Sequence, residues 1–196
     1  MQEPDQPSRR IWLSAAIGAS IAPLPAFDGL RVRHEGDYIT VASPPSHFLA
    51  GELRSRLQDG FTVLLAFQLL LSLDRFATIF RRAFERFAVS FDLWEERFSA
   101  VRFGAKPVSA SHLTAEEAES WCLSQLRIPV SGLSPDTSFW VRVEMKPEDP
   151  KEARGASGAG PLALERLVEL FGRPSRTDQQ KWMVEGGPTR LKELKR

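Results

Sequence analysis

The sequence predicts a mostly β fold at the margin of the α+β class: an antiparallel sheet or β-sandwich with two short inserted helices and a separate C-terminal helix. All odd-numbered positions are apolar over 61–73 and over 139–145, a period of two that is typical of strands. Helical spacing of apolar residues is confined to short stretches. With 196 residues, 42% of them hydrophobic and 26% charged, the chain is long enough for one domain with its own core.

The strand patterns begin with a predicted β-hairpin, in which residues 30–34 and Tyr38–Val41 flank a turn at Gly36. The pattern over Phe61–Leu73 predicts a long strand with its odd-numbered residues buried. Because several even-numbered positions are apolar too, we expect this strand in the middle of the sheet. The short apolar run Ile128–Leu133 predicts a further strand or a loop.

Residues 76–87 fit two patterns, since their phenylalanines recur at helical spacing whereas the residues that follow alternate as in a strand. We favour a strand from about Phe84, a turn at Trp94–Arg97 and a second strand over Phe98–Phe103. The alternation over Phe139–Met145 predicts a strand with one buried and one solvated face.

Two helices are predicted between the strands. The first covers Ser46–Gln58, with Ser46 as its N-cap and leucines four residues apart on one face. The second covers Thr114–Gln125 and begins with the Thr-x-x-Glu pattern of a capping box. Cys122 lies on the apolar face of this second helix, so we interpret it as a buried structural thiol.

Composition divides the chain into four parts: an export signal (1–26), a β-rich domain (28–147), a flexible linker (148–160), and a C-terminal helix and tail (161–196). The linker is rich in glycine and alanine. After it, a helix is expected over Pro161–Phe171, because proline suits the first helical position. Its narrow apolar face is formed by Leu164, Leu167, Val168 and Phe171.

The first residues have the features of an export signal. Arg9 and Arg10 directly precede Ile11, Trp12 and Leu13 in a short apolar stretch that prolines interrupt, and Ala26 is the expected cleavage position. The order resembles a twin-arginine signal, and the stretch is shorter than a membrane-spanning helix. We expect a periplasmic or otherwise exported protein, tethered to the membrane if the signal stays uncleaved; an amphipathic first helix is the alternative.

Several fold-forming segments also resemble those of a known family. They are the opening hairpin, the end of the first helix with Leu57–Val63, the strand-turn-strand segment Val89–Phe98, the helix in Leu113–Trp121, and the last strand Phe139–Val143. Over about residues 30–147 the chain thus resembles the bacterial family called domain of unknown function 4390, small exported proteins often encoded beside membrane sensor kinases. The resemblance implies an antiparallel β-rich exported domain and by itself no activity.

No residue set has the pattern of a catalytic or metal site. The three histidines, His34, His47 and His112, are far apart and lack the spacing that places two ligands on one face. No serine lies in a nucleophile motif. We therefore expect no catalytic residue, no metal and no cofactor.

Two segments favour a binding hypothesis. Arg81, Arg82 and Arg86 alternate with phenylalanines and form either a basic-aromatic surface or the solvated side of a core element. Trp182 and Met183 are apolar residues in a polar tail, which either docks back on the domain or binds a partner.

We expect from these patterns a non-catalytic exported protein that binds a protein partner in the cell envelope. The alternative is a periplasmic carrier of an apolar or anionic lipid, enclosed by the phenylalanine-rich and leucine-rich sheet. Nucleic acid is not an expected partner, because 26 basic residues face 25 acidic ones and nucleic-acid binders usually have a clear basic excess.

Changing Arg9 and Arg10 together to lysine should block export, because the twin-arginine route reads the arginine pair itself. Mass spectrometry of the native and variant proteins from separated cell fractions checks this, with a native product cut near Ala26 as the reference. An intact native chain in the cytoplasm would contradict the expectation, and normal export of the variant would leave only a general secretory signal.

Overall fold

The computed structural model describes residues 30–41, 46–148 and 181–194. These ranges contain two α-helices, α1 (Gly51–Gln58) and α2 (Ala115–Ser124), and a 3-10 turn at Leu191–Glu193. The strands in chain order are β1 (Val32–Glu35), β2 (Tyr38–Val41), β3 (Val63–Ser72), β4 (Ile79–Asp92), β5 (Arg97–Arg102), β6 (Val108–Leu113), β7 (Arg127–Pro129), β8 (Phe139–Pro147) and β9 (Trp182–Thr189).

The strands form two antiparallel sheets. The large sheet has the order β6-β5-β4-β3-β8-β9, and the small sheet has the order β1-β2-β7. The predicted mostly β, antiparallel class with two short inserted helices is therefore confirmed. The opening hairpin is confirmed as well, as β1 and β2 pair around Gly36.

Strand β3 lies in the middle of the large sheet, as its two apolar faces predicted. Its odd-numbered residues from Val63 to Leu71 are fully buried. The strand expected over Phe61–Leu73 was too long at both ends, because β3 covers Val63–Ser72. Phe61 is 59% exposed just after α1, and Leu73 is exposed where the chain turns towards β4.

The face of the large sheet that carries the odd-numbered residues of β3 is covered by the helices and the small sheet; we call it the covered face. Five aromatic rings cross this layer in contact with one another, at centroid distances of 5.6, 5.4, 5.3 and 6.0 Å. In order they are Trp182, Phe48, Phe67, Phe87 and Trp121. Tilted and edge-to-face pairs of this kind add about 0.5–1.5 kcal/mol each beyond the area they bury.

The segment before α1 is held by a buried carboxylate on α2. Glu119 accepts hydrogen bonds from the backbone N–H groups of Ser46 (3.1 Å), His47 (2.7 Å) and Leu49 (2.7 Å). The expectation of a helix from Ser46 was wrong: α1 begins at Gly51, because His47 has a positive φ of 49° and Ala50 is extended, with φ −123° and ψ 175°.

The capping box of α2 is confirmed. The Thr114 hydroxyl accepts from the Glu117 N–H (3.2 Å), and the Glu117 carboxylate accepts from the Thr114 N–H (2.8 Å). Cys122 is fully buried, as expected. Burial, and after it the nearby Glu119 carboxylate, raises the pKa of the Cys122 thiol far above its ordinary value, so the thiol is not activated as a nucleophile.

Two strands, β4 and β8, differ from what the sequence predicted. Strand β4 takes in most of the ambiguous range 76–87, because it pairs with β3 almost along its whole length. The even-numbered side of β8 is less solvated than expected, since Glu144 and Lys146 are buried.

Strand β9 comes from the segment that the sequence assigned to a tail. It pairs with β8, with Val184 opposite Val143 and Trp182 opposite Met145. Of the two alternatives for this segment, docking on the domain is the one observed, so the boundary that set 161–196 apart is corrected for 182–189. The predicted signal, the helix over Pro161–Phe171 and the linker beyond Glu148 lie outside the described residues.

Replacing Glu119 with glutamine should lower the free energy of unfolding by about 1–3 kcal/mol, because an amide offers one acceptor oxygen to three backbone donors. Urea unfolding checks the stability, and hydrogen exchange checks that the amides of residues 46–49 lose protection. The control Glu116→Gln changes an exposed residue of the same helix and should leave both readings unchanged. Equal stability and exchange for the two variants would contradict the expectation.

Candidate interaction site

The turn between β4 and β5, residues Asp92–Arg97, presents two large apolar side chains to solvent; we call it the hairpin tip. Trp94 is 96% exposed and Leu93 is 55% exposed. Exposed apolar residues are ordinary when they are small or solitary. A tryptophan that is almost wholly exposed beside a leucine is a feature of interaction surfaces.

The backbone of the hairpin tip is ordered by its own first residue. One carboxylate oxygen of Asp92 accepts from the N–H of Trp94 (2.8 Å) and of Glu95 (3.1 Å). These bonds, first that from Glu95, lower the pKa of Asp92. Glu96 has a φ of 54°, a left-handed conformation that completes the turn. The indole therefore stands on a fixed backbone.

Side chains from neighbouring strands support the hairpin tip from below. Phe91 and Phe98 face each other across β4 and β5, with ring centroids 4.8 Å apart. His112 on β6 lies 3.1 Å from the Glu95 carboxylate. This histidine contact is exposed and contributes little to stability. The phenylalanine pair is the firmer support.

The hairpin tip is acidic. Asp92, Glu95 and Glu96 oppose one basic residue, Arg97, which gives the six residues a formal charge of −2. Charges of this sign repel anionic lipid headgroups and phosphate groups. They attract a basic protein surface, and an arginine of such a surface can lie against the face of the indole.

The three arginines predicted to form a basic-aromatic surface do not lie together. Arg81 points to the covered face, where it donates to the Ser131 carbonyl (3.0 Å). Arg86 points to the opposite face and is ion-paired with Glu148, its Nε lying 2.7 Å from that carboxylate. Because successive strand residues alternate between faces, Arg81 lies on the face opposite to that of Arg82 and Arg86. Arg81 and Arg82 are exposed and have no ion pair among the described residues, and Arg82 shares the face of Arg86.

The other two predicted interaction residues belong to the edge of the sheet. Trp182 is half-buried and packs against the core, with its ring 5.6 Å from that of Phe48. Met183 is 50% exposed on the opposite face of β9.

Trp94 was not singled out from the sequence as an interaction residue. The signal was present, because the turn was correctly placed at Trp94–Arg97 and three of its four residues are charged. A tryptophan in such a turn has no neighbouring layer that could cover it.

Within the described ranges, no three histidine, cysteine or carboxylate side chains are grouped closely enough to hold a metal ion. Neither α1 nor α2 has the length and apolar content needed to cross a membrane. Comparison of the chain with protein-family models, curated proteins and solved structures found no match. The resemblance to the family of domain of unknown function 4390 therefore stays a prediction.

Replacing Asp92 with alanine should loosen the hairpin tip, so that the amides of Trp94 and Glu95 exchange several-fold faster by NMR hydrogen exchange. Asp92→Asn is the matched control, because its side-chain oxygen still accepts both bonds.

The same bonds predict a pH dependence. The pKa of Asp92 is below its ordinary value of 3.8 in the folded chain, so its stabilising effect is complete above that value and is lost as the pH falls through the lowered pKa. Acid unfolding of the native chain and of the Asp92→Asn variant checks this. The Asp92→Asn variant should not show this loss of stability at low pH. A loss of equal size in both chains would contradict the role of Asp92.

Proposed function

We propose that this chain is an exported, non-catalytic β-rich domain that binds a protein partner in the cell envelope through its hairpin tip. The observation that carries the proposal is the exposure of Trp94 on an ordered turn. Export rests on the signal pattern in residues 1–26.

The energetics favour a small contact with one dominant residue. A tryptophan buries about 150–250 Å² in a contact, and tryptophans at the centre of interfaces often account for about 2 kcal/mol or more of the binding free energy. Because the Asp92 hydrogen bonds already fix the turn, little ordering entropy remains to be lost on binding.

The interior of the domain supports a protein partner over an enclosed lipid. The aromatic rings from Trp182 to Trp121 pack against one another across the covered face. A carrier would need that space for its ligand. The charge of the hairpin tip points the same way, since its carboxylates repel anionic lipid.

A photo-crosslinking amino acid at Leu93 tests the proposal while Trp94 stays in place. In cells, we expect one discrete polypeptide adduct from position 93. Leu73 is the matched control, an exposed leucine at the opposite end of β3, and should give no such adduct.

Adding Trp94→Ala to the position-93 probe should abolish the adduct and leave the melting temperature unchanged, because this indole is almost wholly exposed. Trp182→Ala, in contrast, should lower the melting temperature. The proposal is wrong if the adduct survives Trp94→Ala, if positions 93 and 73 give the same products, or if the adduct contains lipid instead of polypeptide.

A further inference from the structure

The face of the large sheet opposite the covered face carries the even-numbered residues of β3, and some of them are buried although they lie outside the contiguous core; we call it the outer face. Ala66 is 0% exposed and Leu70 and Gln68 are each 4% exposed, yet neither Ala66 nor Leu70 belongs to the core cluster. Apart from Asp92 and Arg97 at the hairpin tip, its charged residues are Arg82, Arg86, Arg142, Glu144, Lys146, Glu148, Lys181 and Glu185.

We propose that the chain's own segment 149–180 packs on the outer face, through the apolar side of the helix predicted at Pro161–Phe171. The segment joins two neighbouring antiparallel strands. Strand β8 ends at Pro147 and β9 begins at Trp182, with Lys181 ion-paired to Glu144 on β8 (3.2 Å). The 32 residues of 149–180 therefore leave and return at the same end of the sheet.

The length of the segment fits this placement. Twelve residues, 149–160, precede the predicted helix and can span about 40 Å. The outer face from β9 to β4 is three strand spacings wide, which is about 14 Å. A helix of eleven residues, about 16 Å long, matches that width.

The predicted helix and the outer face are complementary in their apolar and polar groups. A helix of this length is marginal in water by itself, so its stripe of Leu164, Leu167, Val168 and Phe171 needs an apolar surface. Ala66 and Leu70 provide one in the middle of the outer face. Between them, the side-chain carbonyl of Gln68 is buried and has no hydrogen-bond donor among the described residues, which leaves an acceptor for a polar group of the segment.

The charges are complementary as well. On the outer face five basic residues oppose three carboxylates, an excess of two positive charges. Arg142 already binds both Glu144 and Glu185 (3.5 and 2.5 Å), whereas Arg82 has no ion pair among described residues. The predicted helix carries two carboxylates one turn apart, Glu165 and Glu169, and one basic residue, Arg166. Its net charge of −1 (two acidic minus one basic residue) is opposite in sign to the excess on the outer face.

Cysteine labelling tests the proposal. Ala66→Cys and Leu70→Cys are made in the full mature chain and in a chain whose residues 151–179 are replaced by a Gly-Ser linker of equal length. Cys122 is buried and supplies the background rate. We expect both new thiols to react with a maleimide at least tenfold faster in the linker chain, whereas Leu93→Cys, remote from the outer face, reacts equally fast in both.

A second variant tests the proposal without replacing residues 151–179 by the linker. Leu164→Ser, Leu167→Ser and Val168→Ser together should expose the thiols at 66 and 70 to a similar extent, and the matched control Leu170→Ser, outside the stripe, should not. Cooperative melting is checked for every variant. Equal labelling of the thiols in the full chain and in the folded triple variant would overturn the proposal. Protection that rises with protein concentration would also overturn it, because a second copy of the chain would then be the occupant.

Discussion

The buried carboxylate of Glu119 fixes the arrangement on which the core depends. A carboxylate out of water is costly unless hydrogen bonds compensate, and here three backbone N–H groups of residues 46–49 do so. Their charge-assisted bonds hold the chain before α1 against α2, and Phe48 lies within that segment. The ring of Phe48 contacts both Phe67 and Trp182, so one carboxylate links α2, the entry to α1, the central strand and the edge strand β9.

The parts of the fold that the sequence predicted correctly are those set by neighbouring residues. Alternation along β3 and β8 marks a buried face whatever the partner strand is, and the capping box of α2 is complete within four residues. The parts that were wrong depend on residues far away in the chain. Residues 46–50 leave the helical conformation at His47 and Ala50, and the carboxylate that binds this segment, Glu119, lies about 70 positions later. The Gly-Gly-Pro sequence at 186–188 is locally unfavourable for a strand, so β9 was not predicted. Pairing with β8 overrides that local preference.

The candidate site was predictable to a smaller extent, for a related reason. The turn that carries Trp94 followed from local pattern, whereas the fate of each arginine in β4 depended on strand register. Register assigns Arg81 and Arg86 to opposite faces, and the distant Glu148 then pairs with Arg86. Composition alone shows none of this, because an arginine between phenylalanines has the same neighbours in sequence whichever face it occupies.

The distribution of interactions favours the hairpin tip as the proposed binding surface. The covered face uses its aromatic rings in folding, and most charges of the outer face are paired with one another. The apolar surface that remains on the outer face, around Ala66 and Leu70, is the one on which we propose that segment 149–180 packs. At the hairpin tip, Asp92 is satisfied by the backbone while the indole of Trp94 is almost wholly exposed. The indole is surrounded mainly by water, so burying it against a partner gives a hydrophobic free energy that folding has not already used.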